Sequence, residues 1–143
     1  MKTNFKLTGI LLLSFLFSFA GCNKETDKPL KDLLLGKWEK QSAFYEYFEN
    51  AVKTGEQGDT FEANEWVYEF IKDGEGNIYE SGTLKSSFSW TLIESALSIE
   101  NPGELTEGEA SISKGILTIE GDDSFVSNGI TYENHRIITF KKI

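Results

Sequence analysis

In 143 residues the chain has one cysteine, one histidine, one arginine and two prolines. One cysteine excludes an internal disulfide framework and any Cys-x-x-Cys zinc or redox site. One histidine leaves nothing from which to build a histidine metal cluster. Gly-rich phosphate loops, nucleophile elbows and His-Glu-x-x-His are also missing, so no catalytic residue is assigned and an enzyme is not expected. Basic charge is scarce too: 14 Lys and Arg stand against 23 Asp and Glu, a formal net charge of −9. No basic stripe with interleaved aromatics offsets it, which excludes nucleic acid as a partner. Disorder is excluded as well, because three Trp, five Tyr and eleven Phe exceed what a solvated chain carries.

Long apolar runs are missing except at the N-terminus. Lys2 and Lys6 precede an apolar run from Leu7 to Ala20, which ends in Gly21-Cys22. A cationic start, a run of that length and a small-residue exit form a secretory signal. The run is shorter than the roughly 20 residues that cross a bilayer. Phe19-Ala20-Gly21-Cys22 resembles a bacterial lipobox, in which the cysteine is lipidated and becomes the new N-terminus. The resemblance implies a signal peptide over 1–21 and a membrane partner reached through lipid on Cys22. Two or more acyl chains make a stable anchor where one does not. Losing Lys2 and Lys6 takes the net charge from −9 to −11, so the lipid and not a basic patch must hold the chain at a membrane. Glu25 and Asp27 resemble the acidic export signals of Bacteroidetes surface lipoproteins, and no aspartate follows Cys22 directly. The expected location is the cell envelope, at the outer membrane, with the leaflet left open.

Residues 22–32 are polar and read as the lipidated cysteine and a tether, and residues 33–143 as one domain. There, alternating apolar residues recur every eight to twelve positions, the sign of an all-β sandwich or barrel. The expected strands are 37–48, 65–71, 77–84, 86–93, 97–100, 109–113, 116–120 and 130–142. The segment 50–60, with Gly55 and Gly58, reads as a long loop opening with a helical turn. Residues 101–108 read as an acidic loop, and Gly121-Asp122-Asp123 as a bulge or corner. Asn128-Gly129 is the strongest hairpin signal, since Asn-Gly suits both positive-φ positions of a type I′ turn. Eight sequential antiparallel strands form a meander able to close into a small barrel.

Leu33-Leu34-Leu35-Gly36-Lys37-Trp38 resembles the Gly-x-Trp start of lipocalins, and more closely the lipocalin-like domains of bacterial lipoproteins. The same order of motifs continues in Phe70-Ile71-Lys72-Asp73-Gly74, Trp90-Thr91-Leu92, Leu97-Ser98-Ile99 and Phe140-Lys141-Lys142. The resemblance implies an eight-stranded up-and-down barrel, closed or half-open, with a small apolar or amphipathic ligand bound in its mouth and no cofactor. By the same resemblance Arg136, which shares parity with Ile138 and Phe140, is expected to stack on Trp38. Trp38, Phe44, Trp66, Tyr68, Phe70, Phe88 and Trp90 are the candidate ligand-binding residues. They either line an apolar pocket or fill the interior, because an eight-stranded barrel has room for one or the other. In the filled case the domain acts through its exterior, as a protein-interaction or envelope accessory module.

The remaining polar groups have plainer readings. His135 shares parity with Thr131, Glu133 and Thr139 and is expected at an exposed strand position. Asp73-Gly74-Glu75-Gly76-Asn77 reads as a hairpin turn, since it lacks the downstream glycine and flanking helices of a calcium-binding EF-hand. Glu120, Asp122 and Asp123 read as a solvated corner, and Glu104, Glu107 and Glu109 as a charged loop. No metal site is expected.

Overall fold

Tight two-residue turns fold this chain back on itself. Asn50-Ala51, Ser81-Gly82, Lys114-Gly115 and Asn128-Gly129 each hold both residues at positive φ, the backbone of type I′ hairpins. The computed structural model describes residues 28–102 and 104–143; the expected signal segment, Cys22 and the tether as far as residue 27 lie outside them. A short helix, α1 (Leu30–Leu34), leads into nine strands: β1 (Gly36–Glu49), β2 (Val52–Thr60), β3 (Trp66–Phe70), β4 (Glu75–Glu80), β5 (Thr83–Ile93), β6 (Ala96–Asn101), β7 (Glu104–Ser113), β8 (Ile116–Ser127) and β9 (Ile130–Lys142). A 3₁₀ turn at Lys72–Gly74 joins β3 to β4.

All the pairings are antiparallel. Running β1-β3-β4-β5-β6-β7-β8-β9 and back to β1, they close an eight-stranded up-and-down barrel, the fold class that the alternation indicated. The ninth strand, β2, corrects the long loop expected over 50–60. It pairs with the second half of β1, from Ser42↔Thr60 to Glu49↔Val52. The acidic loop is corrected as well, because β6 runs on to Asn101 and β7 begins at Glu104. Gly121-Asp122-Asp123 lies inside β8 rather than at a corner.

Below its mouth the interior is filled. Trp38, Leu34, Leu117 and Ile119 have no exposure, and Phe70, Phe140, Leu97, Trp90 and Phe88 are at most 5% exposed. The α1 end is closed: Leu34 enters the core, Leu30 packs against it, and the Leu34 carbonyl accepts the Trp38 Nε1 hydrogen at 2.6 Å. Among the described residues, regular structure thus begins at Leu30. Glu39, though buried, has its carboxylate satisfied by Gln41 Nε2 at 3.0 Å and the Asn64 amide at 2.6 Å.

A bulge in β1 shapes the other end. Lys40 pairs with Phe140 and Ser42 with Thr139, so Gln41 is an extra residue and the side-chain parity reverses. Trp38 points inward before it, and Ala43 and Tyr45 point inward after it. From Ser42 onward β1 runs between β2 and β9, while the β7–β8 pairing stops at Glu109↔Glu120. Four strands, β2-β1-β9-β8, therefore continue past the barrel as a projecting sheet. At ~3.3 Å per residue its tip stands roughly 40 Å along β1 from the α1 end.

Candidate functional site

The seven candidate aromatics do not share one pocket. Trp38, Phe70, Phe88 and Trp90 are core. Phe70 meets Phe88 at 5.3 Å and Trp90 at 5.7 Å between ring centroids, edge to face in both cases. The Trp90 indole donates to the carbonyls of Glu75 (2.7 Å) and Ile71 (3.1 Å), holding both ends of the 3₁₀ turn. Gly76 faces Phe88 across β4 and β5, and a Cβ there would overlap the Phe88 ring. At no more than 5% exposure the four rings serve as filling, and Phe88 also borders an open surface depression of about 700 Å³ with Ile71, Gly76 and Asn101.

Phe44 lies on the opposite face of β1 because of the Gln41 bulge. It packs over Gly58 of β2 and cannot join the interior.

Trp66 and Tyr68 are half-buried at the open end. Tyr68 leans edge-on against Phe140 with centroids 5.2 Å apart, and lies 6.0 Å from Phe88. Above them is a depression of about 430 Å³ lined by Trp66, Tyr68, Ile78, Lys40, Lys85, Ser86, Asn101 and Pro102. Of its lining residues Ile78 belongs to the buried core, so the depression is a shallow mouth over packed side chains. Lys40 Nζ sits 4.5 Å over the Phe61 ring, and Lys85 Nζ is 2.7 Å from Glu80. Asn101 Oδ1 is buried with no hydrogen-bond partner among the described residues. The arrangement can take an apolar surface against Trp66, Tyr68 and Ile78 and a polar or anionic head beside the lysines.

Lys40, Lys85 and Asn101 were not among the candidates. Lys40 had a signal, since it shares parity with Trp38. Lys85 had none, because it stands at a register irregularity between β4 and β5.

The expected stack of Arg136 on Trp38 is not formed. Trp38 pairs with Lys142 across β1 and β9, whereas Arg136 pairs with Tyr45, seven residues further along β1. That separates them by roughly 20 Å. The cation over Trp38 is Lys142, with Nζ 4.9 Å from the ring and donating to the Leu33 carbonyl at 2.7 Å. Arg136 does point inward and is 7% exposed, but it donates to Asp123 and to the Glu107 carbonyl.

His135 faces outward, half-buried, with Nδ1 2.7 Å from Asp122 and Nε2 3.5 Å from Glu120. Among the described residues no group of three or more His, Cys, Asp or Glu is placed to hold a metal ion. Among the described residues two groups on the exterior have shifted titrations. Tyr79 is raised above the ordinary phenol value, first because its hydroxyl donates to Glu69 at 2.7 Å. Lys53 is raised above the ordinary lysine value by its hydrogen bonds to Glu46 and Glu56, each at 2.6 Å.

Compared with protein-family models, with curated proteins and with solved structures, the chain matches none.

Proposed function

We propose that this is a lipid-anchored, lipocalin-like protein of the bacterial cell envelope that holds a small amphipathic ligand in the mouth of its barrel and acts by binding rather than catalysis. The observation that carries the reading is the mouth itself, where half-buried Trp66 and Tyr68 meet Lys40 and Lys85 in a chain that is otherwise strongly acidic. About 430 Å³ lies within the range that small-ligand sites occupy. Asn101 Oδ1 offers an acceptor to a ligand hydroxyl or ammonium. The anchor is supported by the apolar run ending at Cys22, and by a chain that enters the barrel at its closed end, leaving the mouth turned away from a membrane.

Titration of the full chain in detergent with lauric acid, followed by tryptophan fluorescence, tests the binding. Saturable quenching that vanishes in Trp66→Phe is expected, since Trp38 and Trp90 are buried. Replacing Lys40 and Lys85 with methionine should weaken lauric acid about tenfold and dodecanol hardly at all. No saturation with either probe, together with a bare mass in native mass spectrometry of the protein as purified, would overturn the reading. A second reading, that the barrel acts through its exterior, is favoured by one observation: the exposed Phe125 and Val126 on the projecting sheet.

A further inference from the structure

The projecting sheet has an open side. Beyond Glu120, β8 pairs with β9 alone among the described strands, while β7 turns away to follow β6. Seven residues of β8, Gly121–Ser127, thus present an unpaired backbone edge to a gap between β7 and β8. At the root of this gap a Cβ on Gly121 would overlap the Glu107 carbonyl oxygen, and Arg136 donates to that same oxygen. Edge strands of this kind are normally shortened, covered or guarded with lysine, because they template pairing. This one carries no lysine and bears Phe125 and Val126, 63% and 69% exposed, just before its end at Ser127. Phe125 stacks on Tyr132 of β9 with centroids 5.0 Å apart, which leaves its other face turned to the open edge.

We propose that the free edge of β8 is a docking site for an extended basic segment of a partner protein, which adds a strand in the gap between β7 and β8. Main-chain hydrogen bonds supply the affinity and alternate side chains the selectivity. Charge sets the partner's chemistry. Asp122 and Asp123 lie along the edge, Glu107 lies across the gap and Glu109 pairs with Glu120 at its root, while Arg136 is already bonded to Asp123 and to the Glu107 carbonyl and His135 to Asp122. A segment alternating lysine or arginine with apolar residues would meet the acids and cover the free face of Phe125.

Other occupants fit less well. A second copy would bring two acidic tips together. With Cys22 as the lipidated N-terminus, residues 22–29 reach at most ~28 Å, short of the tip. The β2 edge offers little to such a segment, since Val52 is its one large apolar residue and its Lys53 is engaged by Glu46 and Glu56.

The test is hydrogen exchange of the full chain in detergent, read by mass spectrometry during titration with acetyl-Lys-Val-Lys-Phe-Lys-Val-Lys-amide. Amide exchange should slow about tenfold over Gly121–Ser127, less so at high salt, with little change on the same peptide bearing glutamate for lysine. Asp122→Lys, at a site 80% exposed, should weaken the protection about tenfold without changing the fold. Ser124→Pro should abolish it by removing an edge amide. Absence of protection at millimolar peptide overturns the proposal. So does protection that maps to β2, that is equal with the glutamate peptide, or that rises with protein concentration when no peptide is present.

Discussion

Arg136 and Asp123 form a pair whose two members should respond very differently to removal. The guanidinium side chain is 8% exposed and the carboxylate 57% exposed. Asp123→Ala leaves a desolvated cation with the Glu107 carbonyl as its remaining acceptor and with Nε already unpartnered among the described residues. Breaking a fully buried pair from one side costs ~3–5 kcal/mol, and water reaching the Asp123 side reduces that to about 2 kcal/mol. Arg136→Met removes the cation itself. Asp123 then turns to solvent, and the Glu107 carbonyl is left short of one donor, a loss of ~1 kcal/mol that is offset by ending the burial of an incompletely paired charge. The net change should stay within about 1 kcal/mol. Adding Asp123→Ala to Arg136→Met should then cost almost nothing, so the cycle yields a coupling of about 2 kcal/mol. Urea unfolding read by tryptophan fluorescence resolves this: with slopes of ~1–3 kcal/mol per molar, Asp123→Ala moves the midpoint down by about 1 M. If Arg136→Met is the more damaging single change, or the two are additive, the guanidinium stabilises the sheet junction directly and the reasoning fails.

Three further outcomes follow from the packing. Gly76→Ala places a Cβ inside the Phe88 ring's position, so it should cost more than the ~1–3 kcal/mol of ordinary overpacking; a thermal melt within a few degrees of the parent contradicts this. Trp38→Phe removes the hydrogen bond to the Leu34 carbonyl, and should cost ~1–2 kcal/mol and speed hydrogen exchange in α1 before any strand. Tyr79 and Lys53 both titrate higher folded than unfolded, so their contributions are complete below pH ~10 and fade as pH rises through the folded values. Stability should therefore drop on the alkaline side above pH ~10, and in Tyr79→Phe the drop should be smaller; absorbance of tyrosinate against pH identifies the late-titrating phenol.

The alternation of apolar residues was enough to locate all eight barrel strands, because each buries one face and a one-residue slip would expose it. It misled where the backbone breaks the period. Phe44 has the same parity as Trp38, yet the Gln41 bulge sends it outward, and nothing in Lys40-Gln41-Ser42 announces an extra residue. The β2 strand was hidden for two reasons. Its hairpin turns through Ala51 at φ 64°, where a glycine would have been the readable signal, and Gly55 and Gly58 interrupt its pattern. Arg136 was rightly read as inward-facing, but its level was not legible. The register at which β9 closes on β1 is a property of the whole barrel, and it puts Lys142 beside Trp38.

The same closure separates the parts that stabilise from the parts proposed to bind. Core rings interlock at the α1 end and around the 3₁₀ turn, where Trp38 and Trp90 each spend their indole hydrogen on backbone carbonyls. Side chains so constrained cannot rearrange around a ligand without losing both packing and hydrogen bonds. Trp66 and Tyr68 pack against the edge of that zone at the mouth, and Phe125 and Tyr132 lie beyond it on the projecting sheet. Substitutions there should therefore lower the unfolding midpoint less than substitutions at Phe70, Phe88 or Trp90, and should alter the proposed binding more. A Trp66→Ala variant that unfolds at urea as low as Trp90→Ala would show that the mouth is as much core as the interior.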